Sequence, residues 1–107
     1  MSDTITLPNL TIDREALAGF CRRHRIKKLT FFGSVLRNDF RPDSDIDVLV
    51  EFRPGTAVTY FALARMEREL SALCGGRKVD LVTPNALHPL IRERVRATAR
   101  VEYVDPR

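Results

Sequence analysis

Asp45 and Asp47 flank Ile46 at the start of the apolar run Val48, Leu49 and Val50. On a strand, residues two apart project to the same face. The pair can therefore offer hard carboxylate oxygens to one magnesium ion, which a single surface aspartate would not retain. Upstream, Gly33 and Ser34 close the run Leu29, Thr30, Phe31, Phe32. A glycine-serine turn between a strand and a helical turn can give backbone N–H groups and a hydroxyl to phosphate oxygens. A third carboxylate, Asp80, lies between Val79 and Leu81 in a segment suited to burial, where a charge is costly unless paired, hydrogen-bonded or metal-bound. Together these residues predict a three-carboxylate site, Asp45, Asp47 and Asp80, on adjoining strands beside a phosphate-holding turn. Phosphoryl-type transfer from a nucleoside triphosphate needs little else from a protein.

The elements that must position these groups can be read from hydrophobic periodicity. Asp13 is placed to cap a helix in which Ala16, Leu17, Phe20 and Cys21 recur at helical spacing up to about His24. Residues 26–32 read as a first strand, followed by a short helical turn through Arg37 and a loop at Arg41, Pro42, Asp43 and Ser44. The run 45–52 is too uniformly apolar for an exposed strand and belongs inside a sheet. Residues 58–73 form a long amphipathic helix with Phe61, Leu63, Ala64, Met66, Leu70 and Leu73 as its apolar positions, ended by Gly75 and Gly76. Residues 78–82 give a third strand. Residues 87–98 give a last helix with Arg92, Glu93, Arg94 and Arg96 toward solvent, and 101–104 an edge strand. The fold class expected is α/β (α+β), a small mixed sheet flanked by helices.

A chain of 107 residues with 44% hydrophobic side chains predicts one domain, spanning 1–107, whose first eleven residues are expected to be flexible. With 18 basic against 14 acidic side chains the net charge is +4, which tolerates anionic partners without identifying a nucleic-acid binder. Cys21 and Cys74 have no zinc-type spacing and read as reduced, buried thiols. No signal peptide or membrane-spanning run is present, so a cytoplasmic location is expected. The cluster Arg22, Arg23, His24, Arg25, Lys27, Lys28 reads as a cationic helix end that complements the macrodipole rather than as a nucleic-acid contact. Tyr60 and Phe61 are expected to pack in the core.

Gly33-Ser34, ten intervening residues, Asp45-Ile46-Asp47 and then Asp80 in KVDLVT resemble the signature of the DNA polymerase β nucleotidyltransferase superfamily. More closely, the chain is similar to the minimal nucleotidyltransferases, the MntA-like antitoxins that act with HEPN-domain toxins. The resemblance runs from about Ile12 to Tyr103. It implies a polymerase β-like fold, Asp45 and Asp47 as the metal-binding pair, and Asp80 as the third catalytic and metal-binding carboxylate. It further implies a nucleotide-binding set of Gly33, Ser34, Arg37 and Ser44, with Mg²⁺ as cofactor and ATP as substrate. In relatives a glycine often follows the arginine that Arg37 matches. Here Asn38 and Asp39 follow, and asparagine tolerates left-handed backbone angles better than most residues.

The function implied is an adenylyltransferase moving AMP onto a hydroxyl, expected to be a tyrosine, of a HEPN-family ribonuclease toxin. That would make the chain the toxin's antitoxin and part of a hetero-oligomer with it, with no direct nucleic-acid contact expected. The acceptor would come from this partner, because a single small domain leaves no second one to hold it. Two alternatives stand beside this reading: an antitoxin that neutralises by binding alone, and a small-molecule, antibiotic-type nucleotidyltransferase, which the missing acceptor domain disfavours.

Overall fold

The computed structural model describes residues 3–105, without the side chains of Ile91, Arg94 and Arg96. The first elements are strands β1 (Thr4–Leu7) and β2 (Leu10–Asp13), an antiparallel hairpin joined at Pro8 and Asn9. Ile5, Leu7 and Ile12 are buried on one side of the hairpin, and their strict alternation with Thr4, Thr6 and Thr11 gives the strand period.

Asp13 then caps helix α1 (Arg14–Arg23), its carboxylate accepting from the N–H groups of Glu15 (2.9 Å) and Ala16 (3.2 Å). Leu17, Phe20 and Cys21 form the inward stripe of this helix. Strand β3 (Ile26–Phe32) runs into a 3-10 turn, Gly33–Leu36, and the chain returns as β4 (Ile46–Phe52). Helix α2 (Tyr60–Leu73) starts at Thr59, whose hydroxyl accepts from the Ala62 N–H, and crosses over to β5 (Val79–Val82). A 3-10 turn, helix α3 (Pro89–Thr98) and β6 (Arg100–Val104) follow.

The main sheet has the order β5-β4-β3-β6, with β4 and β5 parallel and the other pairs antiparallel. It is the small mixed sheet that the sequence predicts, with β4 interior. Leu29 and Phe31 of β3, Ile46, Val48 and Val50 of β4 and Val79 and Leu81 of β5 point to one face and join the stripes of α1 and α2 in a single core. Burying each large side chain of this kind contributes about 1.5–3 kcal/mol. Cys21 and Cys74 are free thiols in that core, and burial pushes them up to about 12 and about 11. They are poor nucleophiles and poor metal ligands.

Two expectations about individual side chains fail. Tyr60 and Phe61 are 90% and 85% exposed. They occupy the outward side of the first turn of α2, where Val58 and Ala62 pack against the core, and the buried positions of α2 are Met66 and Leu70. Arg92 is half-buried rather than solvated, its guanidinium donating to the carbonyls of Pro84 and Leu87. The Arg94 and Arg96 side chains lie outside the described residues. Within the cationic cluster, Arg23 and His24 (2.7 Å) both reach Glu69 of α2, so part of that charge fastens α1 to α2. Among the described residues no helix is long and apolar enough to cross a membrane.

Candidate functional site

The sheet register determines which of the predicted residues meet. Phe32, the last residue of β3, pairs with Asp47 on β4, and Asp47 pairs with Asp80 on β5. The alternation of β4 sends Ile46, Val48 and Val50 into the core and leaves Asp47 half-buried on the opposite face. The same alternation on β5 buries Val79 and Leu81 and exposes Asp80. Asp80 therefore reaches the site because it is on the open face; the sequence argument from a buried carboxylate does not hold.

Asp45 precedes β4 and is half-buried, its carboxylate 3.8 Å from the Lys78 ammonium. The strands are drawn together at this end by the Ile46 N–H donating to the Lys78 carbonyl at 2.8 Å. The Asp47 carboxyl is pushed above its ordinary value, first by burial, then by the negative charges of Asp80 and Asp45, while Arg37 opposes the shift. Like charges held this close favour a cation between them. Yet among the described residues no three His, Cys, Asp or Glu side chains converge into a group that could hold a metal by themselves. The donor set nonetheless suits magnesium, which takes oxygen ligands, commonly one or two carboxylates completed by water and substrate phosphates.

Gly33 opens the turn with φ +80, a left-handed conformation that side chains with a Cβ adopt at a cost. A Cβ there would collide with a carboxylate oxygen of Asp47, and its Cγ would be 3.3 Å away. Glycine is thus required twice, for the backbone and for the closeness of the turn to the carboxylate. Gly33→Ala is expected to lose about 1–2 kcal/mol of stability and to lower Tm by about 5–10 °C. Thermal unfolding checks this, and an unchanged Tm would refute the double constraint.

Ser34 is half-buried in the same turn, next to Gly33. Arg37 is exposed, and its Nε donates to Asp39 at 3.1 Å, which holds the Asp39 carboxyl below its usual range. Its charge still reaches Asp47. Asn38 and Asp39, after Arg37, keep negative φ, so neither needs a left-handed backbone. Ser44 is built into the loop, its hydroxyl accepting from the Arg41 N–H at 3.0 Å and its N–H donating to the Arg41 carbonyl at 3.0 Å.

Two contacts at the site had no counterpart in the sequence reading. Glu67 of α2 accepts from the Leu81 N–H at 2.9 Å, covering the outer edge of β5 beside Asp80. Asn9 of the hairpin reaches the carbonyls of the Gly33–Leu36 turn.

A tight glycine-serine turn against Asp47, with Asp80 beside it on the next strand, is an arrangement suited to handling phosphate-bearing groups. The chain belongs to the nucleotidyltransferase domain family, whose pattern matches residues 13–101, and it is a nucleotidyltransferase. It is 40% identical over 73 residues to a chain of Methanocaldococcus jannaschii that carries the name "Putative protein adenylyltransferase", covering 68% of this chain and 75% of that one. A solved structure described as a "putative minimal nucleotidyltransferase" superposes with a TM-score of 0.66 at 40% identity, covering 81% of this chain and 86% of the other. A Shewanella oneidensis antitoxin complex, described as a tri-AMPylated HEPN toxin with its MNT antitoxin, shares the fold at a TM-score of 0.58 and 17% identity, covering 86% and 70% of the two chains.

Proposed function

We propose that this chain transfers AMP from ATP to a tyrosine hydroxyl of a HEPN-domain ribonuclease toxin, and so acts as that toxin's antitoxin. The observation that carries the reading is the register that lines up the Gly33 turn, Asp47 and Asp80 across three adjacent strand positions. The names of the relatives support the chemistry, and the AMPylated toxin in the Shewanella complex supports the acceptor.

In this reading the backbone of Gly33 and the hydroxyl of Ser34 grip phosphate oxygens, as turns of this kind do at the start of helices. Arg37, close enough to act on Asp47, adds positive charge toward the phosphates. Ser44 shapes the loop that delivers Asp45. Asp45, Asp47 and Asp80 would hold Mg²⁺, which when bound neutralises phosphate charge. Asp80, the exposed member, faces an incoming acceptor and takes the hydroxyl proton. The acceptor oxygen bonds to the α-phosphorus, the bond from that phosphorus to the bridging oxygen breaks, and pyrophosphate leaves with the electron pair.

The spread of the carboxylates and the exposure of Asp80 favour a second reading, an antitoxin that works by contact alone, because an exposed aspartate has no burial cost to justify. One experiment separates the two. The purified chain is incubated with magnesium, ATP and a HEPN-domain toxin, and the intact mass of the toxin is measured. The expected result is a gain of one or more AMP units that disappears when magnesium is chelated. A toxin that is neutralised while keeping its original mass would refute the transferase reading.

A further inference from the structure

The turn that carries Gly33 and Ser34 is fastened from outside its own segment. Asn9, the second residue of the two-residue connection between β1 and β2, directs its side-chain amide at three main-chain carbonyls. These are Val35 O at 2.8 Å, Arg37 O at 2.6 Å and Ser34 O at 3.4 Å. They lie in and just after a 3-10 turn, whose last carbonyls lack partners within the helix; the Ser34 carbonyl already accepts from the Arg37 N–H at 2.9 Å. Nδ2 has two hydrogens, so Val35 and Arg37 take the direct bonds and Ser34 the longer, shared one. The orientation is chemically forced, since a flipped amide would set its oxygen against three carbonyl oxygens.

The arm holding Asn9 is itself anchored. Ile5, Leu7 and Ile12 are buried, the Arg14 N–H donates to the Asp3 carbonyl at 2.9 Å, and the Arg14 guanidinium pairs with the Asp3 carboxylate at 3.0 Å. Pro8 fixes one of the two turn residues. The family pattern begins at residue 13, so Asn9 precedes the segment by which the family is recognised.

We propose that Asn9 is a positioning residue, a latch that holds the Gly33–Leu36 turn and the Arg37 backbone in the shape that receives the triphosphate. The proposal rests on the nucleotide-transfer reading above. A turn held in its bound shape has less ordering to do when ligand arrives, so the latch strengthens ATP binding without touching it. Asn9→Asp is the informative variant. Aspartate keeps the size and the turn preference of asparagine but turns the donor into an acceptor facing three carbonyls.

Two measurements are made on the wild type and on Asn9→Asp and Asn9→Ala. Amide hydrogen exchange at residues 33–37 in nucleotide-free protein is expected to quicken about tenfold in both variants. The Kd for ATP with magnesium is expected to rise about 5–10-fold, more in Asn9→Asp than in Asn9→Ala. A merely structural role in the hairpin turn would leave Asn9→Asp like the wild type in both. Unchanged exchange at 33–37 overturns the latch, and quickened exchange with unchanged ATP affinity overturns its part in binding. A wild type that binds no ATP overturns the transfer reading itself, and the exchange data then still show separately whether the latch exists.

Discussion

Asp47→Asn is expected to lose nucleotide transfer by a factor of about 1,000 or more, while the variant protein unfolds at a temperature a few degrees higher than the wild type. In the proposed reaction the loss follows because Asp47 would be an oxygen ligand to magnesium, whose charge neutralisation is worth several kcal/mol to the transition state. The gain follows from electrostatics. Burial and the charges of Asp80 and Asp45 raise the Asp47 carboxyl above its ordinary 3.8. The folded protein therefore holds this proton over a pH range in which the unfolded chain has released it. Stability falls as pH rises through that range, and the deficit persists at neutral pH. Asparagine removes both the charge and the deficit. Melting curves taken in chelator from pH 3 to 8 should show the wild type losing more stability than the variant as pH rises. A variant that is both less stable and fully active would contradict the assignment of Asp47 on both counts.

Asp80→Asn is expected to cost about 100- to 10,000-fold in the rate of transfer while ATP affinity changes only a few-fold. In the proposed reaction Asp80, exposed on edge strand β5, would receive the acceptor's proton, while Asp45 and Asp47 would remain to hold the nucleotide. Because Asp80 is on the surface, Tm should stay within about a degree or two of the wild type. The measurement is paired: growth inhibition by the toxin in cells, and the mass of the toxin purified from them. Loss of AMP addition together with loss of rescue supports the catalytic role. Full rescue by Asp80→Asn with no AMP on the toxin from either strain would leave neutralisation by contact as the account.

Much of this arrangement is legible in the chain. The Leu29, Phe31 and Val48, Val50 positions mark β3 and β4, Asp13 marks the start of α1, and the spacing of Asp45 and Asp47 places both near one end of β4. Strand and helix periods are local signals, and they carry that far. What fails depends on neighbours distant in sequence. Asp80 was weighed as buried because Val79 and Leu81 flank it, although alternation sends it to the other face. Tyr60 and Phe61 fit the helical spacing of α2, but the inward positions there are Val58 and Ala62, which leaves both aromatic rings exposed. The hairpin did have a readable signature, Ile5 and Leu7 alternating with threonines, then Pro8-Asn9, then Leu10 and Ile12. The contact of Asn9 with a turn 25 or more residues away had none, since hydrogen bonds of this kind arise only after both segments are folded.

The open face on which Asp47 and Asp80 sit bears on selectivity between acceptors. Water is a competing acceptor wherever a reactive phosphorus is left accessible, and enzymes suppress hydrolysis by closing over their substrates. Among the described residues Asp80 has no such cover. In the proposed reaction the acceptor protein must therefore supply the roof as well as the hydroxyl. Futile turnover of ATP would be highest in the lone chain and would fall as the partner docks, so the fidelity of the reaction belongs to the complex and not to either protein alone.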